Sequence, residues 1–326
     1  MTPTAADIRL KPLTPDDLEA VIAIDTATSG TSRRGYFEKR LTAAIERPQD
    51  YVFVGLSADG VLVGFAFAKV VSGAFGQTGA SASLDAIGVS PDHGMQGFGH
   101  KLLAEVESVL RHKGVTTLAS QIDWPEQPIL SFMAHAGFVL APRLVLSRPT
   151  REIAVDLEDE VEVEELDYSS PDGDARNALS HDRIPVRTMK EGDLAKIVSI
   201  DTANTGTDRR DYFARKQHES LHQSGVQVSL VAEQDGFPVG FIMARVDFGE
   251  FGRTSTEAVM DSIGVDPGFQ GQGVGRALMA KLMANLGILQ VETVRTEVDW
   301  NDTRLIDYFA QVGFTPAQRI TLQKTL

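Results

Sequence analysis

The chain has 326 residues, no cysteine and a formal net charge of −14 at pH 7. The absence of cysteine excludes disulfides, thiolate metal sites and a cysteine nucleophile. No apolar run approaches the roughly 18 residues that a membrane-spanning helix needs, and the N-terminus lacks the pattern of a secretory signal. We therefore expect a cytoplasmic protein with no membrane partner.

Most of the negative charge lies in one segment. Residues 151–183 hold twelve acidic and three basic side chains. Because such a segment buries little apolar surface, we interpret residues 151–182 as a solvated linker. The alternation in Val161–Glu164 leaves a short edge strand as the alternative. The remaining charge offers no basic face, so we expect no nucleic-acid partner.

One sequence pattern occurs twice, at a constant offset of 176 residues. The segment Asp25–Phe37 is identical to Asp201–Phe213 at nine of thirteen positions. A repeat of this length indicates a duplicated globular domain rather than a solenoid. We predict an N-terminal domain over residues 1–150 and a C-terminal domain over residues 183–326. The two form a pseudo-dimer within one chain, and a homodimer of the whole chain stays open.

The second copy shows the predicted order of elements. Its hydrophobic periods and turn residues predict an α/β fold with a mixed sheet, of the α+β kind, in each copy. The predicted elements in chain order are strand Ile184–Met189, helices Glu191–Thr202 and Arg209–Gln223, strands Val226–Glu233, Phe237–Val246 and Glu257–Val265, helix Gly275–Leu286, strand Val291–Asp299, helix Arg304–Val312 and strand Ile320–Gln323.

A glycine-rich loop joins the fourth predicted strand to the next helix. Its sequence runs Gln-Gly-Gln-Gly-Val-Gly from Gln270 to Gly275. Glycines let the backbone approach a ligand closely, and a helix start presents amide groups and the positive end of a dipole. The loop therefore suits a pyrophosphate. Its spacing differs from the dinucleotide fingerprint, and it lacks the Gly-Lys-Ser/Thr ending of a P-loop.

The stretch from Val265 to Arg276, with Asp-Pro followed by Gln-Gly-Gln-Gly-Val-Gly-Arg, resembles the Gln/Arg-x-x-Gly-x-Gly/Ala motif of the GNAT (Gcn5-related N-acetyltransferase) superfamily. Gly313-Phe314 is similar to that family's Gly-Phe signature. The resemblance implies two tandem acyl-CoA N-acyltransferase domains, with acetyl-CoA as donor between two splayed strands. The residues it implies for acetyl-CoA binding are Ile263, Gly264, Val265, Gln270, Gly271, Gln272, Gly273, Val274, Gly275 and Arg276.

Acyl transfer to an amine needs a proton acceptor, and the leaving thiolate can use a proton donor. The resemblance places Asp261 in the base position, with Asp85 as its counterpart, although an aspartate there can also serve the backbone alone. The family's tyrosine position holds Phe309, and Tyr308 is its neighbour. Tyr308 is therefore the candidate acid, and the alternatives are unaided departure of the thiolate or another group as proton donor.

Four residues are candidates for binding the acceptor. The resemblance puts the segment between the first two helices of the copy over the acceptor pocket, which assigns Arg209, Arg210 and Tyr212 to it. The alternative is that the arginines are ordinary surface charges. Trp300 ends the fifth strand near the expected acyl group, with either an acceptor-binding or a packing role.

The first copy departs from the loop pattern. In its loop, His93–His100, Gly94 stands where the second copy has Gln270, Met95 replaces Gly271 and His100 replaces Arg276. The side chain of Met95 occupies a position where the backbone must come close to the ligand. We predict weak or no CoA binding by the first copy and a role as scaffold.

We expect no bound metal. His218-Glu-Ser-Leu-His222 matches the H-E-x-x-H zinc pattern, but its surroundings are polar and the first copy lacks it. The resulting hypothesis is an acetyl-CoA-dependent N-acetyltransferase whose second domain transfers an acetyl group to a primary amine of a small molecule or peptide by direct attack. The alternative is a non-catalytic module that binds acyl-CoA or another metabolite.

Overall fold

The computed structural model describes residues 7–71, 79–150, 184–219, 226–248 and 256–326. Over these ranges each copy of the repeat forms a mixed sheet with helices on its faces, and both sheets contain seven strands. The predicted α/β class with two tandem mixed-sheet domains is confirmed. The predicted linker, residues 151–182, lies outside the described residues.

The first copy contains eleven elements in the described ranges. They are β1 (Ile8–Pro12), α1 (Leu18–Ser29), α2 (Arg34–Glu46), β2 (Tyr51–Ala58), β3 (Val61–Val70), β4 (Ser81–Val89), α3 (Phe98–His112), β5 (Thr117–Asp123), α4 (Gln127–His135), β6 (Val139–Leu140) and β7 (Arg143–Pro149).

The second copy repeats this order. Its elements are β8 (Val186–Thr188), α5 (Leu194–Thr205), α6 (Arg210–His218), β9 (Leu230–Gln234), β10 (Phe237–Phe248), β11 (Thr256–Val265), α7 (Val274–Ile288), β12 (Thr293–Asp299), α8 (Thr303–Gln311), β13 (Thr315–Pro316) and β14 (Arg319–Thr325). Strand β9 begins four residues later than predicted, and the end of the predicted helix Arg209–Gln223 falls outside the described residues.

The last strand of each copy belongs to the sheet built by the other copy. The first sheet has the order β1-β2-β3-β4-β5-β14-β6, and the second has the order β13-β7-β12-β11-β10-β9-β8. The described residues accordingly form two compact units, one with those up to residue 145 and 316–326, the other with those from 146 to 247 and 256–315. The predicted boundaries at residues 150 and 183 follow the sequence repeat. The sheets do not follow these boundaries, because β7 of the first copy lies in the second sheet and β14 of the second copy lies in the first sheet.

Strand β14 is tightly bound in the first sheet. It pairs antiparallel with β5 from Arg319↔Asp123 to Thr325↔Thr117. Arg319 Nε donates to Asp123 Oδ1 at 2.8 Å, and Lys324 Nζ lies 2.5 Å from Glu107 Oε1 on α3. Leu322 is buried in the core of this unit. The first unit therefore depends on residues 319–325 for an interior strand, between β5 and β6.

Both faces of the first sheet are covered. Helix α3 places Leu102, Val106 and Leu110 on one face, at the spacing of a single helical stripe. Helices α1 and α2 cover the other face, where Phe37 packs edge-on against Phe65 with ring centroids 5.5 Å apart. The second copy keeps this arrangement, because Phe213 and Phe241 also lie edge-on at 5.5 Å.

Close packing at Gly240 fixes the start of α7 against the second sheet. A Cβ atom at Gly240 would lie 2.8 Å from Val274 Cγ1 and 3.2 Å from the Gly264 carbonyl oxygen. Only a glycine permits so close an approach of helix and strand. The loop before α7 is thereby held at the carboxyl end of β11.

Deleting residues 319–326 tests the strand exchange. We expect amide hydrogen exchange in β5 to accelerate at least about tenfold, since these amides lose their partner strand, while β12 stays protected. Hydrogen exchange with mass spectrometry on the full chain and on the truncated variant measures this. Faster exchange in residues 293–299 than in residues 117–123 would contradict the observed strand order.

Candidate active site

Two parallel strands separate at the centre of the second sheet. Strand β11 pairs with β12 only from Glu257↔Thr293 to Val259↔Arg295. Thr296 Oγ1 then donates to the Met260 carbonyl oxygen at 2.9 Å, and no ladder pair follows along the described strands. The first sheet has the same side-chain hydrogen bond between its two parallel strands, since Ser120 Oγ donates to the Leu84 carbonyl oxygen at 2.9 Å. Main-chain groups of β11 beyond Met260 are therefore not used by β12.

The glycine loop lies at the end of this separation. Gly271 and Gly273 adopt left-handed conformations, with φ of 76° and 83°, which glycine tolerates at little cost. Gly273 is the N-cap of α7 and has no side chain that could cap the first turn. The first-turn amides and the positive end of the helix dipole are therefore suited to an anion, and the pyrophosphate stays a prediction for this position.

A set of polar side chains holds the loop in place. Asn204 Nδ2 donates to the Val265 carbonyl oxygen at 2.9 Å, and Gln270 Nε2 donates to Asn204 Oδ1 at 2.8 Å. Arg304 Nη2 reaches Gln270 Oε1 at 3.4 Å from the first turn of α8. Sequence reasoning missed Asn204 and Arg304, although the first copy has Thr28 and Pro128 at these repeat positions, a difference that marks both residues.

Arg304 and Arg276 bring positive charge to the loop. Arg276 lies in the first turn of α7, and both side chains are exposed. Arginine side chains are suited to phosphate groups because the planar guanidinium offers several donors. The site can therefore place two cations beside the loop amides.

Gly264 has a packing function in addition to its predicted place in the CoA site. A Cβ atom there would lie 2.6 Å from Phe241 Cε1 and 3.4 Å from Ile200 Cγ2. Its counterpart Gly88 meets Phe65 in the same way, at 2.8 Å. The glycine allows the aromatic ring to approach closely the strand that carries the main-chain groups of Ile263 and Val265.

A hydrogen bond from Tyr308 joins α8 to α7, the helix that follows the glycine loop. The hydroxyl of Tyr308 donates to the Gly275 carbonyl oxygen at 2.9 Å, and a Cβ atom at Gly275 would lie 3.2 Å from Tyr308 Cε2. Burial raises the pKa of the hydroxyl, which therefore stays protonated. Phe309 is fully buried in the core. The candidate acid Tyr308 thus lies beside the loop with its proton donated to the main chain.

Asp261 lies within a buried group of charges. Its side chain is 5% exposed, Oδ1 lies 2.6 Å from Arg245 Nη1, and Oδ2 lies 3.2 Å from Lys216 Nζ. Burial alone would raise the pKa of Asp261, but the charges of Arg245 and Lys216 hold it below its ordinary value. A carboxylate bound by two cations is a weak proton acceptor. This geometry favours a positioning role for the predicted base.

Helix α6 supplies the other members of this buried group. Burial opposes the charged form of Lys216, but the Asp261 carboxylate outweighs it and raises the pKa of the ammonium group. Tyr212 lies one turn earlier, and its hydroxyl is 3.3 Å from Ser262 Oγ. Burial, helped by the charge of Asp261, raises the pKa of Tyr212 to about 12. Tyr212 therefore faces the strand that carries Asp261, and its role in binding the acceptor stays a prediction.

The first copy holds the same charges in exchanged positions. Arg40 and Lys69 stand at the repeat positions of Lys216 and Arg245, and Asp85 at that of Asp261. All three first-copy residues are buried. The ladder between β3 and β4 shifts register at Asp85, between the pairs Phe67↔Ala86 and Ala68↔Leu84. Both copies thus keep one carboxylate, one lysine and one arginine at this level of the sheet.

The side chain of Arg209 is buried in the interior of its unit. Its Nε donates to Asp201 Oδ2 at 2.9 Å, and its guanidinium lies over the rings of Tyr212 and Phe213 at 5.4 and 5.2 Å. Arg33, its counterpart, lies over Tyr36 and Phe37 and pairs with Asp25. This arrangement disagrees with a direct contact between Arg209 and the acceptor. The sequence did not reveal the pair, because Asp201 lies in α5 and Arg209 lies outside it, just before α6.

The remaining acceptor candidates are accessible. Arg210 is exposed, and its main-chain amide donates to Asp208 Oδ1 at 2.8 Å. Trp300 is 55% exposed directly after β12, and Trp124 has the same place after β5. Carboxyl ends of parallel strands share one edge of a sheet, so Trp300 lies on the edge that carries the glycine loop. The side chain of Trp300 is thus accessible, and its role in binding the acceptor stays a prediction.

The loop of the first copy keeps its backbone form and changes its surface. Met95 has φ of 59°, left-handed like Gly271, and its side chain projects fully into solvent. His100 replaces Arg276 and packs against Phe132, with ring centroids 4.9 Å apart. Phe132 stands at the repeat position of Tyr308 and has no hydroxyl. The loop of the first copy therefore lacks the polar and charged side chains that stand beside the loop of the second copy.

No group of three or more His, Asp or Glu side chains within the described ranges is arranged to hold a metal ion. The H-E-x-x-H pattern lies partly outside those ranges, from Ser220 to His222. Its Glu219 carboxylate is 3.5 Å from Lys216 Nζ. Among the described helices, none has the length and apolar character required to cross a membrane.

The sequence model of the Acetyltransferase (GNAT) family matches the chain twice, over residues 18–138 and 194–314. The matches cover more than half of the chain, which belongs to this family of acetyltransferases. The predicted family and the predicted duplication are confirmed.

Known proteins share parts of the sequence and the whole fold. The uncharacterized N-acetyltransferase ycf52 of Gracilaria tenuistipitata var. liui is 30% identical over 102 residues, 31% of this chain and 51% of that protein. The chain thus spans about half the length of that relative. A mycothiol acetyltransferase of Propionibacterium freudenreichii subsp. shermanii is 24% identical over 228 residues, 66% of this chain and 67% of that protein. A tandem GNAT protein from the clavulanic acid biosynthesis pathway has a TM-score of 0.61 and 16% identity, over 98% of both chains, which shows the same fold.

The charges around Asp261 predict a stability that depends on pH. In Asp261→Asn, Lys216 and Arg245 stay buried without their carboxylate, and we expect a loss of about 3 kcal/mol at pH 7. Because the folded-state pKa of Asp261 is lowered, its stabilisation is present above the ordinary pKa of about 3.9 and lost as pH falls through the folded value. The difference in the free energy of unfolding should be constant from pH 7 to about pH 4 and narrow below that.

Urea titrations at several pH values measure this difference. Glu19→Gln is the matched control, since Glu19 forms an exposed pair with Arg34, and it should leave the urea midpoint unchanged. An equal midpoint for Asp261→Asn and the wild type at pH 7 would contradict the role of Asp261 as the partner of two buried cations.

Proposed function

We propose that the chain is an acetyl-CoA-dependent N-acetyltransferase whose second domain is the active one. The observation that carries the proposal is the uncapped glycine start of α7, which lies beside the separated strands β11 and β12. The first-turn amides fit the pyrophosphate of acetyl-CoA, with Arg276 and Arg304 beside them. The main-chain groups of Ile263 and Val265 suit a pantetheine arm that runs between the strands.

The reaction follows from this arrangement as direct transfer. An amine that has lost its proton attacks the thioester carbonyl, a C–N bond forms, the C–S bond breaks, and the proton released by the new amide nitrogen is balanced by protonation of the CoA thiolate. Since the chain has no cysteine, transfer through a cysteine acyl-enzyme is excluded. With its proton donated to Gly275, Tyr308 supports unaided departure of the thiolate better than proton donation.

The acceptor is a small molecule or peptide with a primary amine. Tyr212 and Trp300 offer one aromatic ring on the buried side and one on the exposed edge of the site. A relative that aligns with two thirds of this chain is a mycothiol acetyltransferase, which favours small-molecule amines for the first assays.

A coupled thiol-release assay with acetyl-CoA and a panel of small amines tests the proposal. We expect at least one amine to release thiol in proportion to the acetylated product, measured by mass spectrometry. Calorimetric titration of acetyl-CoA runs in parallel. Binding with no thiol release for any amine or amino-terminated peptide would replace the proposal with the acyl-CoA-binding module.

The difference between the two loops predicts one binding site per chain. In Gly271→Met, the second loop acquires the residue that the first loop carries at Met95 in the same left-handed conformation. We expect at least about a tenfold weaker affinity for acetyl-CoA, because a side chain then stands where the phosphate approaches the backbone. Calorimetry of the full chain gives both the stoichiometry and the dissociation constant.

Met95→Gly is the matched control for this substitution. It relieves the left-handed strain but leaves Gly94 and His100 in place, so the stoichiometry should stay at one. Two sites in the wild type, or unchanged affinity in Gly271→Met, would contradict the assignment of acetyl-CoA to the second loop.

A further inference from the structure

A second buried carboxylate lies beside Asp261 on the neighbouring strand. Glu297 is on β12 and only 6% exposed. The parallel register ends at Val259↔Arg295, so the next step of two residues along each strand brings Asp261 and Glu297 to the same level. Glu297 therefore stands directly beyond the last contact between the two strands, at the mouth of their separation.

The alternation of β12 shows which face Glu297 occupies. In the first copy, Leu118 and Ile122 on β5 belong to the core under α3. Their counterparts Val294 and Val298 are likewise buried. Since successive strand residues point to opposite faces, Glu297 lies on the other face, where α6 packs. This is the face of Asp261 and Tyr212.

The two copies differ chemically at this position. Gln121 is the counterpart of Glu297, and it is also buried. An amide of the same size fills the same space but cannot accept a proton at neutral pH. The first copy, whose loop has lost its charged groups, has thus lost the carboxylate as well, whereas it keeps Asp85 at the position of Asp261.

Conservation of the aspartate in both copies indicates that its purpose is shared by both. That purpose is visible in the second copy, where Asp261 neutralises Lys216 and Arg245 in the interior. Two buried carboxylates of the second copy are absent from the first. Glu257, whose counterpart is Ser81, is bound by Arg295 in the paired part of the strands, whereas Glu297 lies at the mouth of their separation. An assignment of proton transfer to Glu297 accounts for both facts.

We propose that Glu297 is the general base of the reaction and that Asp261 is a positioning residue. This inference rests on the proposed function. Glu297 accepts a proton from the ammonium group of the acceptor, directly or through one water. The nitrogen lone pair then forms the C–N bond to the acetyl carbon, the C–S bond breaks with its electrons on sulfur, and the thiolate takes up the second nitrogen proton through solvent.

Replacement of Glu297 by glutamine removes the base without changing the shape of the side chain. We expect kcat of Glu297→Gln to fall about 100-fold or more, the usual effect of losing a general base, with KM for acetyl-CoA within twofold. The acid limb of the pH profile of kcat should disappear in the same variant. Glu297→Asp keeps a carboxylate at a greater distance and should retain an intermediate rate.

The pH dependence of kcat that is due to Glu297 must be distinguished from the titration of neighbouring groups. Near neutral pH, Asp261 stays ionised with its lowered pKa, and Lys216 and Tyr212 stay protonated with raised ones. The other titratable and charged groups on this face of the sheet are Arg245, Arg295, Glu257 and Asp299. Those on α6 or directly after it are Arg210, Asp211, Arg215, His218 and Glu219. Since all of these remain in Glu297→Gln, loss of the acid limb in that variant identifies Glu297 as its source.

Glu292→Gln is the matched control, because Glu292 is exposed just before β12 and undergoes the same chemical change. It should keep the wild-type kcat and pH profile. Circular dichroism and acetyl-CoA titration verify that each variant is folded and binds donor.

The outcomes separate the two proposals. A wild-type rate and pH profile in Glu297→Gln would overturn the assignment of Glu297 and leave the acetyltransferase proposal standing. If the wild type binds acetyl-CoA but acetylates no amine, both proposals are overturned. A rate loss in Glu297→Gln with an unchanged acid limb would also overturn the assignment, since a misplaced substrate explains it equally well.

Discussion

The parting of two parallel strands is the constraint on which the second unit depends. After Val259 and Arg295 the ladder ends, and the backbone groups of the rest of β11 need other partners. Asn204 and Gln270 take the carbonyl group of Val265, and Thr296 takes that of Met260. The groups that stay open are the ones that a thioester arm can use. The candidate active site therefore depends on the point at which the ladder between β11 and β12 ends.

The interior of the second unit also carries charge. Buried charges persist only where they are paired. Arg245 and Lys216 bind Asp261, and Arg295 binds Glu257 at 2.7 Å. The first copy has Ala119 and Ser81 where the second has Arg295 and Glu257. The two copies share a fold and the central aspartate, and they differ in how much additional charge their interiors carry.

The sequence was informative where local chemistry decides the structure. The glycines of the second loop, the helix after them and the repeat could all be predicted, because left-handed turns and hydrophobic periods are local properties. The partners of Asp261 and Arg209 could not, since the residues of each pair do not share an element. Nor could the exchange of β7 and β14, because the same alternation fits either sheet. Comparison of the two copies indicates further residues, because the copies differ at Asn204, Arg304 and Glu297.

The place of β14 in the first sheet also sets an order of events during synthesis. Strand β5 is complete about two hundred residues before its neighbour β14 leaves the ribosome, and contacts so distant in sequence form slowly. Until then the first sheet has an open edge at β5, of the kind that recruits other chains. Translation speed through the second copy therefore controls how long that edge is exposed, and slow codons there would increase aggregation of the nascent chain.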